Sequence, residues 1–402
     1  MVQAFSFGGG GEGADPSEPG ACAACGAVRL GDPSVSASWG IPLGATIMAV
    51  QARALATSNP PLYVTQTEAF EFFASHFRLS EAEKALYRRL MVEGPIRGRY
   101  AGMDRKEDGC ETDPDFLNAR FLKYARSTAA DAARKALRMA RCGAGEVSGV
   151  VVNTCTGYLC PGLSSYLAED LLLRNSVKTM DIAGMGCGGA LPNLECAAGL
   201  ARSGGDGPVL SVAVEICSAT LFMGDDPGLV VSNSIFGDGA AATVLSGREG
   251  PALFRILDFE SGVFPEHREQ LRYRCEGGRL RNVLHRRVPK TGVRCAKLVL
   301  ERLLARNGLD GGGVQWWALH AGGTEVLRRA RASLGLAEGQ LGFSNEVFEE
   351  YGNMSSPTVM FALKGILEKG RPREGDKGVL LAFGAGFSAF ACLVEFCGGG
   401  GA

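Results

Sequence analysis

Eight short apolar runs, separated by turns and helix-length segments, set what this chain can fold into. They cover residues 147–153, 177–182, 208–216, 240–245, 253–259, 314–319, 378–383 and 390–396. Helical periodicity fills several of the gaps, at 191–202, 294–306, 324–334 and 358–369. Strands that alternate with helices predict an α/β fold in which sheets are covered by helices. With 402 residues the chain can bury a large core, as two domains or as one large duplicated unit. It carries no short tandem repeat.

Upstream of these runs the folded part reads as helical. Thr65 with Glu68, and Ser80 with Glu83, match the capping-box spacing that satisfies free amides at a helix start. Phe70, Phe73, Phe77, Leu86 and Leu90 recur at helical spacing and read as core, whereas Arg88, Arg89, Arg97 and Arg99 read as a solvated face. Residues 1–38 are rich in Gly, Ala, Ser and Pro and have no apolar period, which predicts a disordered leader or processed extension. Residues 398–402 read as a flexible tail.

Charge excludes some partners. Lys and Arg number 42 against 43 for Asp and Glu, so no basic surplus exists to neutralise nucleic acid. No apolar run reaches the length of a membrane span, and the start lacks the pattern of a secretory signal. Thirteen cysteines, an odd number scattered along a long chain, fit a reduced, cytoplasmic setting better than a disulfide framework. Cys22 and Cys25 form the one C-x-x-C, without the second ligand pair that structural zinc requires, so no metal site is expected.

Three loops carry chemistry. In the segment 180–201 a strand ends, a glycine turn presents Cys187, and an Ala- and Leu-rich helix follows. Amides at a helix N-terminus stabilise a thiolate, so Cys187 reads either as a nucleophile or as a buried structural thiol. Of the four histidines, His76 sits on the Phe-rich helix, and His267 and His285 lie in an exposed Arg-rich stretch. His320 instead closes an apolar run before Ala-Gly-Gly, at a strand end where α/β proteins place catalytic groups. A cysteine nucleophile needs such a base. Asn353, in Gly-Asn-Met-Ser-Ser, is either a turn residue or an amide donor to a developing oxyanion. The Gly-rich segments 236–242 and 382–388 match neither a phosphate-binding loop nor a dinucleotide fingerprint.

Taken together and in this order, Gly-Cys-Gly-Gly at Cys187, Phe-Gly-Asp-Gly-Ala-Ala-Ala at 236–242, His-x-Gly-Gly at His320 and Gly-Asn-Met-Ser-Ser at Asn353 resemble the chalcone and stilbene synthases, the type III polyketide synthases. The resemblance covers residues 40–396. It implies a thiolase-like duplicated αβαβα layered fold, with an N-terminal half at 39–250 and a C-terminal half at 251–397. It also implies a homodimer with no metal or organic redox cofactor, and coenzyme A thioesters as substrates. Cys187 would take an acyl starter from acyl-CoA. His320 and Asn353 would hold the malonyl-CoA thioester oxygen during decarboxylation, and repeated condensation would end in a resorcinol or pyrone.

Further positions match the family one by one. Phe236 falls on a gating phenylalanine; Cys155, Cys160, Cys217, Thr220 and Ser232 fall on cavity-lining positions, with Cys160 where one subunit reaches into the other. Arg89 and Gly322 fall on coenzyme A contacts. Asn282 replaces a second gating phenylalanine, which resembles the microbial alkylresorcinol and alkylpyrone branch and implies a roomier channel for an aliphatic starter. Ala385 replaces a loop proline. Glu93 stands where a basic coenzyme A contact is often found, which leaves an acyl-carrier-protein donor open. A ketosynthase III-like single condensation shares the same three residues, and a non-catalytic homologue acting as a binding subunit would normally lose one of them.

Overall fold

In the computed structural model, residues 49–203 and 207–398 are described. The chain starts with β1 (Val50–Ser58) and β2 (Leu62–Thr65), then α1 (Gln66–His76), α2 (Glu81–Tyr87), β3 (Gly98–Ala101) and the long α3 (Pro114–Met139). Alternation follows as β4 (Gly149–Asn153), α4 (Leu163–Asp170), β5 (Lys178–Ile182), α5 (Ala190–Arg202), β6 (Val209–Ile216), α6 (Pro227–Ile235) and β7 (Asp238–Ser246). The remainder is β8 (Phe254–Val263), the hairpin of β9 (Leu271–Glu276) and β10 (Arg279–Leu284), α7 (Val288–Arg306), β11 (Trp316–Leu319), α8 (Thr324–Leu334), α9 (Gly342–Tyr351), α10 (Thr358–Gly365), β12 (Lys377–Gly384) and β13 (Ser388–Phe396).

All eight apolar runs become strands of one nine-stranded sheet, ordered β11-β12-β13-β8-β1-β7-β6-β4-β5. The ninth strand is β1, and it corrects the reading of the first folded third as helical. β1 lies at the middle of the sheet, antiparallel to β7 on one side and β8 on the other. Its sequence, VQARALATS, is Ala-rich and almost wholly buried, so no polar face exists to produce a period of two. The short pair of β2 and β3 is a second departure from that helical reading. Both expected capping boxes are present, at Thr65–Glu68 and Ser80–Glu83.

Five layers result. α3 and α4 cover one face of β4, β6 and β7. α5 and α10 pack in a shared core between the strands of the two halves, and α7 and α8 close the far side against β12 and β13. The half boundary expected at residue 250 falls between β7 and β8, where three residue pairs of β1 and β8 stitch the sheet together. The leader 1–38 and tail residues 399–402 lie outside the described residues. Among the described residues, eleven cysteines are all free, no helix is long and apolar enough to cross a membrane, and no cluster of His, Cys, Asp and Glu could hold a metal ion.

The α3 face is built from small residues. Ala125, Ala129, Ala132, Ala133 and Ala136 lie in one buried cluster with Ala54, Ala56, Ala240 and Ala242 of the sheet. Small side chains on both surfaces bring backbone close to backbone, which leaves no room for added methylenes. Ala133→Leu is therefore expected to destabilise the fold by about 1–3 kcal/mol, read as a lower denaturant midpoint with an unchanged slope. An unaltered midpoint would mean that the interface is loosely packed.

Candidate active site

Cys187 sits in the single turn Gly186–Gly188, between the end of β5 and the start of α5. Two glycines make this turn possible. Gly186 has φ +56°, and a Cβ there would lie 2.7 Å from the Ala385 nitrogen. A Cβ on Gly384 would lie 2.3 Å from the Met185 oxygen and 3.1 Å from the Cys187 nitrogen. The loop after β12 thus presses backbone to backbone against the cysteine turn. Ala385, the position out of family pattern, is part of that contact and keeps it close.

From the other half of the fold, His320 follows β11, its amide donating to Leu381 O at 2.9 Å. The His320 side chain is buried, and its Nδ1 has no hydrogen-bond partner among the described residues. Asn353 is clamped beside the Phe236 backbone: its amide donates to Ile235 O at 2.8 Å, and Gly237 N donates to Asn353 O at 3.0 Å. Its side chain reaches both neighbours, with Nδ2 donating to Gly322 O at 3.5 Å and Oδ1 accepting from Ser355 N at 2.8 Å. Ser355 holds a left-handed backbone, φ +58°, an uncommon conformation for a non-glycine residue. That conformation aims its hydroxyl at Cys187 Sγ, 3.3 Å away, and Cys155 Sγ lies 3.4 Å from the same oxygen. Continuous contacts therefore run from Gly322, next to His320, through Asn353 and Ser355 to the sulfur.

Glu215 completes this centre and was missed in the sequence. Its side chain is fully buried in β6. Oε2 accepts from Cys155 N at 2.9 Å, Thr156 N at 3.1 Å, Thr156 Oγ1 at 2.9 Å and Thr154 Oγ1 at 3.2 Å. Oε1 accepts from Ser356 Oγ at 2.7 Å. A signal was available: one carboxylate in an otherwise apolar run that had to be buried on both faces. Arg99 departs from the solvated-face reading as well. It donates to Asn233 O at 2.8 Å, Phe236 O at 2.6 Å and Gln66 Oε1 at 2.9 Å, and so positions the Phe236 loop.

Three cavities surround the centre. A small apolar one of about 100 Å³ is lined by Cys217, Thr220, Ser232, Phe236 and Asn282, together with Phe72, Phe73 and Leu229. A more polar one of about 560 Å³ is lined by Cys155, Gly186, Tyr273 and Ala385. A cleft of about 650 Å³ is lined by Arg89 and Gly322. Each adjoins one member of the centre, through the Phe236–Asn353 bridge, through Gly186 and Cys155, and through Gly322. Asn282, on the wall of the small cavity, donates to Ser232 Oγ at 2.6 Å, and Ser232 in turn donates to Gly228 O at 2.7 Å. Cys160 is not brought to any of these cavities; it is exposed on the loop before α4.

Burial dominates the electrostatics. It pushes the Cys187 thiol up to about 12, with the Ser355 hydrogen bond pulling down and the Glu215 charge pushing up. It draws the His320 imidazole down to about 4. Burial likewise raises the Glu215 carboxyl against the pull of its hydrogen bonds. Burial of a lone charge is the largest cause of both the thiol and the imidazole shifts.

Residues 64–254 match the family model of FAE1/type III polyketide synthase-like proteins, and residues 261–396 match that of the chalcone and stilbene synthases, C-terminal domain. The chain is 32% identical over 374 residues to bisdemethoxycurcumin synthase of Oryza sativa subsp. japonica, covering 85% of this chain and 91% of that one. It is 30% identical over 353 residues to 1,3,6,8-tetrahydroxynaphthalene synthase of Streptomyces peucetius subsp. caesius, covering 85% and 92%. The crystal structure of 1,3,6,8-tetrahydroxynaphthalene synthase of Streptomyces coelicolor A3(2), described as a bacterial type III polyketide synthase, superposes with a TM-score of 0.81. That match has 25% identity over 87% of this chain and 100% of that one.

If His320 accepts the sulfur proton, its removal raises the thiol pKa and lowers the thiolate fraction at neutral pH. Each unit of rise lowers that fraction about tenfold. His320→Ala is expected to slow alkylation of Cys187 by iodoacetamide at neutral pH by about tenfold or more, with the rate recovering as pH rises. Equal rates for variant and wild type would show that the two groups are uncoupled.

Proposed function

Because the chain belongs to the chalcone and stilbene synthase family, the type III polyketide synthases, we propose that Cys187, His320 and Asn353 carry out its condensation chemistry on a short- to medium-chain aliphatic starter. The observation that carries this reading is the convergence of one cysteine, one buried histidine and one amide where three cavities adjoin. His320 takes the proton from Cys187 Sγ as the sulfur attacks the acyl-CoA carbonyl. The C–S bond to coenzyme A breaks, the thiol leaves with a proton, and the acyl group remains on Cys187.

Malonyl-CoA then enters through the Arg89–Gly322 cleft. Its thioester oxygen sits where His320 and the Asn353 amide can donate to it as carbon dioxide departs and an enolate forms. Donors of this kind are typically worth ~10²–10³ in rate. The enolate carbon attacks the Cys187 thioester, a C–C bond forms and the cysteine thiolate leaves, ready to accept the extended chain. Repetition lengthens the chain, which folds in the polar cavity beside Cys155 and Tyr273 and closes to a resorcinol or pyrone. No metal or organic redox cofactor enters any of these steps.

The apolar cavity behind Phe236 supports the aliphatic starter, since Phe72, Phe73 and Leu229 offer a tail only hydrocarbon contact. Its size, about 100 Å³, limits the length of tail it can hold. A homodimer fits an edge strand left open: β5 ends the sheet with its residues mostly exposed, Met180 among them. A second copy there would also cover Cys160. The free thiols suit a reduced, cytoplasmic setting.

Product mass spectrometry tests the reading, using purified protein, malonyl-CoA and acyl-CoA starters of graded chain length, with Cys187→Ala as the blank. Cyclised products of several malonyl units from short to medium aliphatic starters are expected. Preference for 4-coumaroyl-CoA would overturn the aliphatic assignment. An open β-keto product of one condensation would indicate a ketosynthase III-like enzyme.

A further inference from the structure

We propose that the groove between α7 and α8 is a docking surface for an acidic acyl carrier protein, whose phosphopantetheine-bound thioester enters the adjoining cleft. The inference rests on the condensing activity proposed above and extends it to a protein donor. The groove, of about 440 Å³, is lined by Lys290, Val293, Arg294 and Lys297 of α7 and by Arg328, Arg329, Ala332 and Ser333 of α8. Five of these eight side chains are cationic and none is acidic, in a chain whose net charge is −1. Lys290, Arg294 and Lys297 are spaced four and three residues apart, so they share one face of α7.

Nearby carboxylates neutralise only part of this charge. Glu325 pairs with Arg328 and Arg329, and Glu301 lies 3.8 Å from Lys297. Lys290 and Arg294 have no carboxylate partner among the described residues, and neither do exposed Arg286 and Arg287 just before α7. Such a field attracts an anionic partner and orients it.

The groove begins where the cleft beside Gly322 ends along the same two helices. The first turn of α7 supplies Val288 and Pro289 to the cleft wall, and the first turn of α8 supplies Thr324 and Glu325, next to Gly322. A flexible arm anchored on the groove can thus pass along both helix starts toward His320 and Asn353. A protein occupant fits better than a nucleotide. The cleft has cations of its own in Arg89 and Arg286 for the phosphates of a coenzyme A thioester. The groove cations lie outside it, along about 10 Å of α7. Half-exposed Leu298 on the same helix adds an apolar contact at the rim, and apolar surface within a charged rim is the make-up of a protein interface.

The test compares malonyl-loaded acyl carrier protein with malonyl-CoA as extender, using full-length protein and the triple variant Lys290→Glu, Arg294→Glu, Lys297→Glu. The wild type is expected to use both donors. The variant should lose about tenfold or more of kcat/KM for the carrier donor, mostly in KM and less at high salt, while its malonyl-CoA kinetics stay within about twofold. Titration of fluorescently labelled holo-carrier should show the same loss of affinity, independently of turnover. A wild type that condenses malonyl-CoA but neither uses nor binds the carrier overturns the docking surface. So does a variant that loses both donors equally, which would make the groove a nucleotide site. Failure of the wild type on malonyl-CoA with continued carrier binding would count against the condensing function instead, and the surface would stand.

Discussion

The fully buried carboxylate of Glu215 joins the two halves of the active site. Its Oε2 takes the amides of Cys155 and Thr156 and both threonine hydroxyls from the loop after β4, while its Oε1 takes the Ser356 hydroxyl from the second half. A lone carboxylate in such a place would carry a desolvation penalty of several kcal/mol. These donors, with the Ser355 hydroxyl at 3.5 Å from Oε1, offset that penalty and are themselves held in place. Ser355, one residue before Ser356, is thereby set in its left-handed conformation with its hydroxyl on Cys187 and its amide on Asn353. Loss of the carboxylate would free both loops at once.

A second constraint works through absent side chains. The cysteine turn and the loop after β12 meet backbone to backbone because Gly186 and Gly384 have no Cβ to separate them. The polar network and the glycine contact together fix Cys187 of one half relative to His320 and Asn353 of the other. The cavities differ in character around a common centre: mostly apolar behind Phe236, somewhat more polar around Tyr273, and a cleft with both basic and acidic residues by Gly322.

Much of this was legible in the sequence because its signals are local. The eight apolar runs became strands, and Cys187, His320 and Asn353 each lie in a loop where a strand or helix boundary could be read from a few residues. What escaped depends on contacts across the chain. β1 shows no alternation because it is buried on both faces at the centre of the sheet. Glu215 finds its donors some sixty and one hundred and forty residues away. Arg99 resembles a surface residue until its contacts with Asn233, Phe236 and Gln66 are seen. The hydrogen bond from Asn282 to Ser232 depends on α6 and β10 meeting, which no local pattern shows. Single positions indicate which residue is present; the direction in which it points is set by the fold.

The most direct measurement is peptide mass spectrometry of the protein after incubation with an acyl-CoA starter and no extender. Cys187 and Cys155 both lie beside the Ser355 hydroxyl, so the sulfur that takes the acyl group identifies the nucleophile. The acyl mass is expected on the Cys187 peptide, and Cys187→Ala should carry none. An acyl group on Cys155 with Cys187 unmodified, or no acylation from any starter, would contradict the assignment.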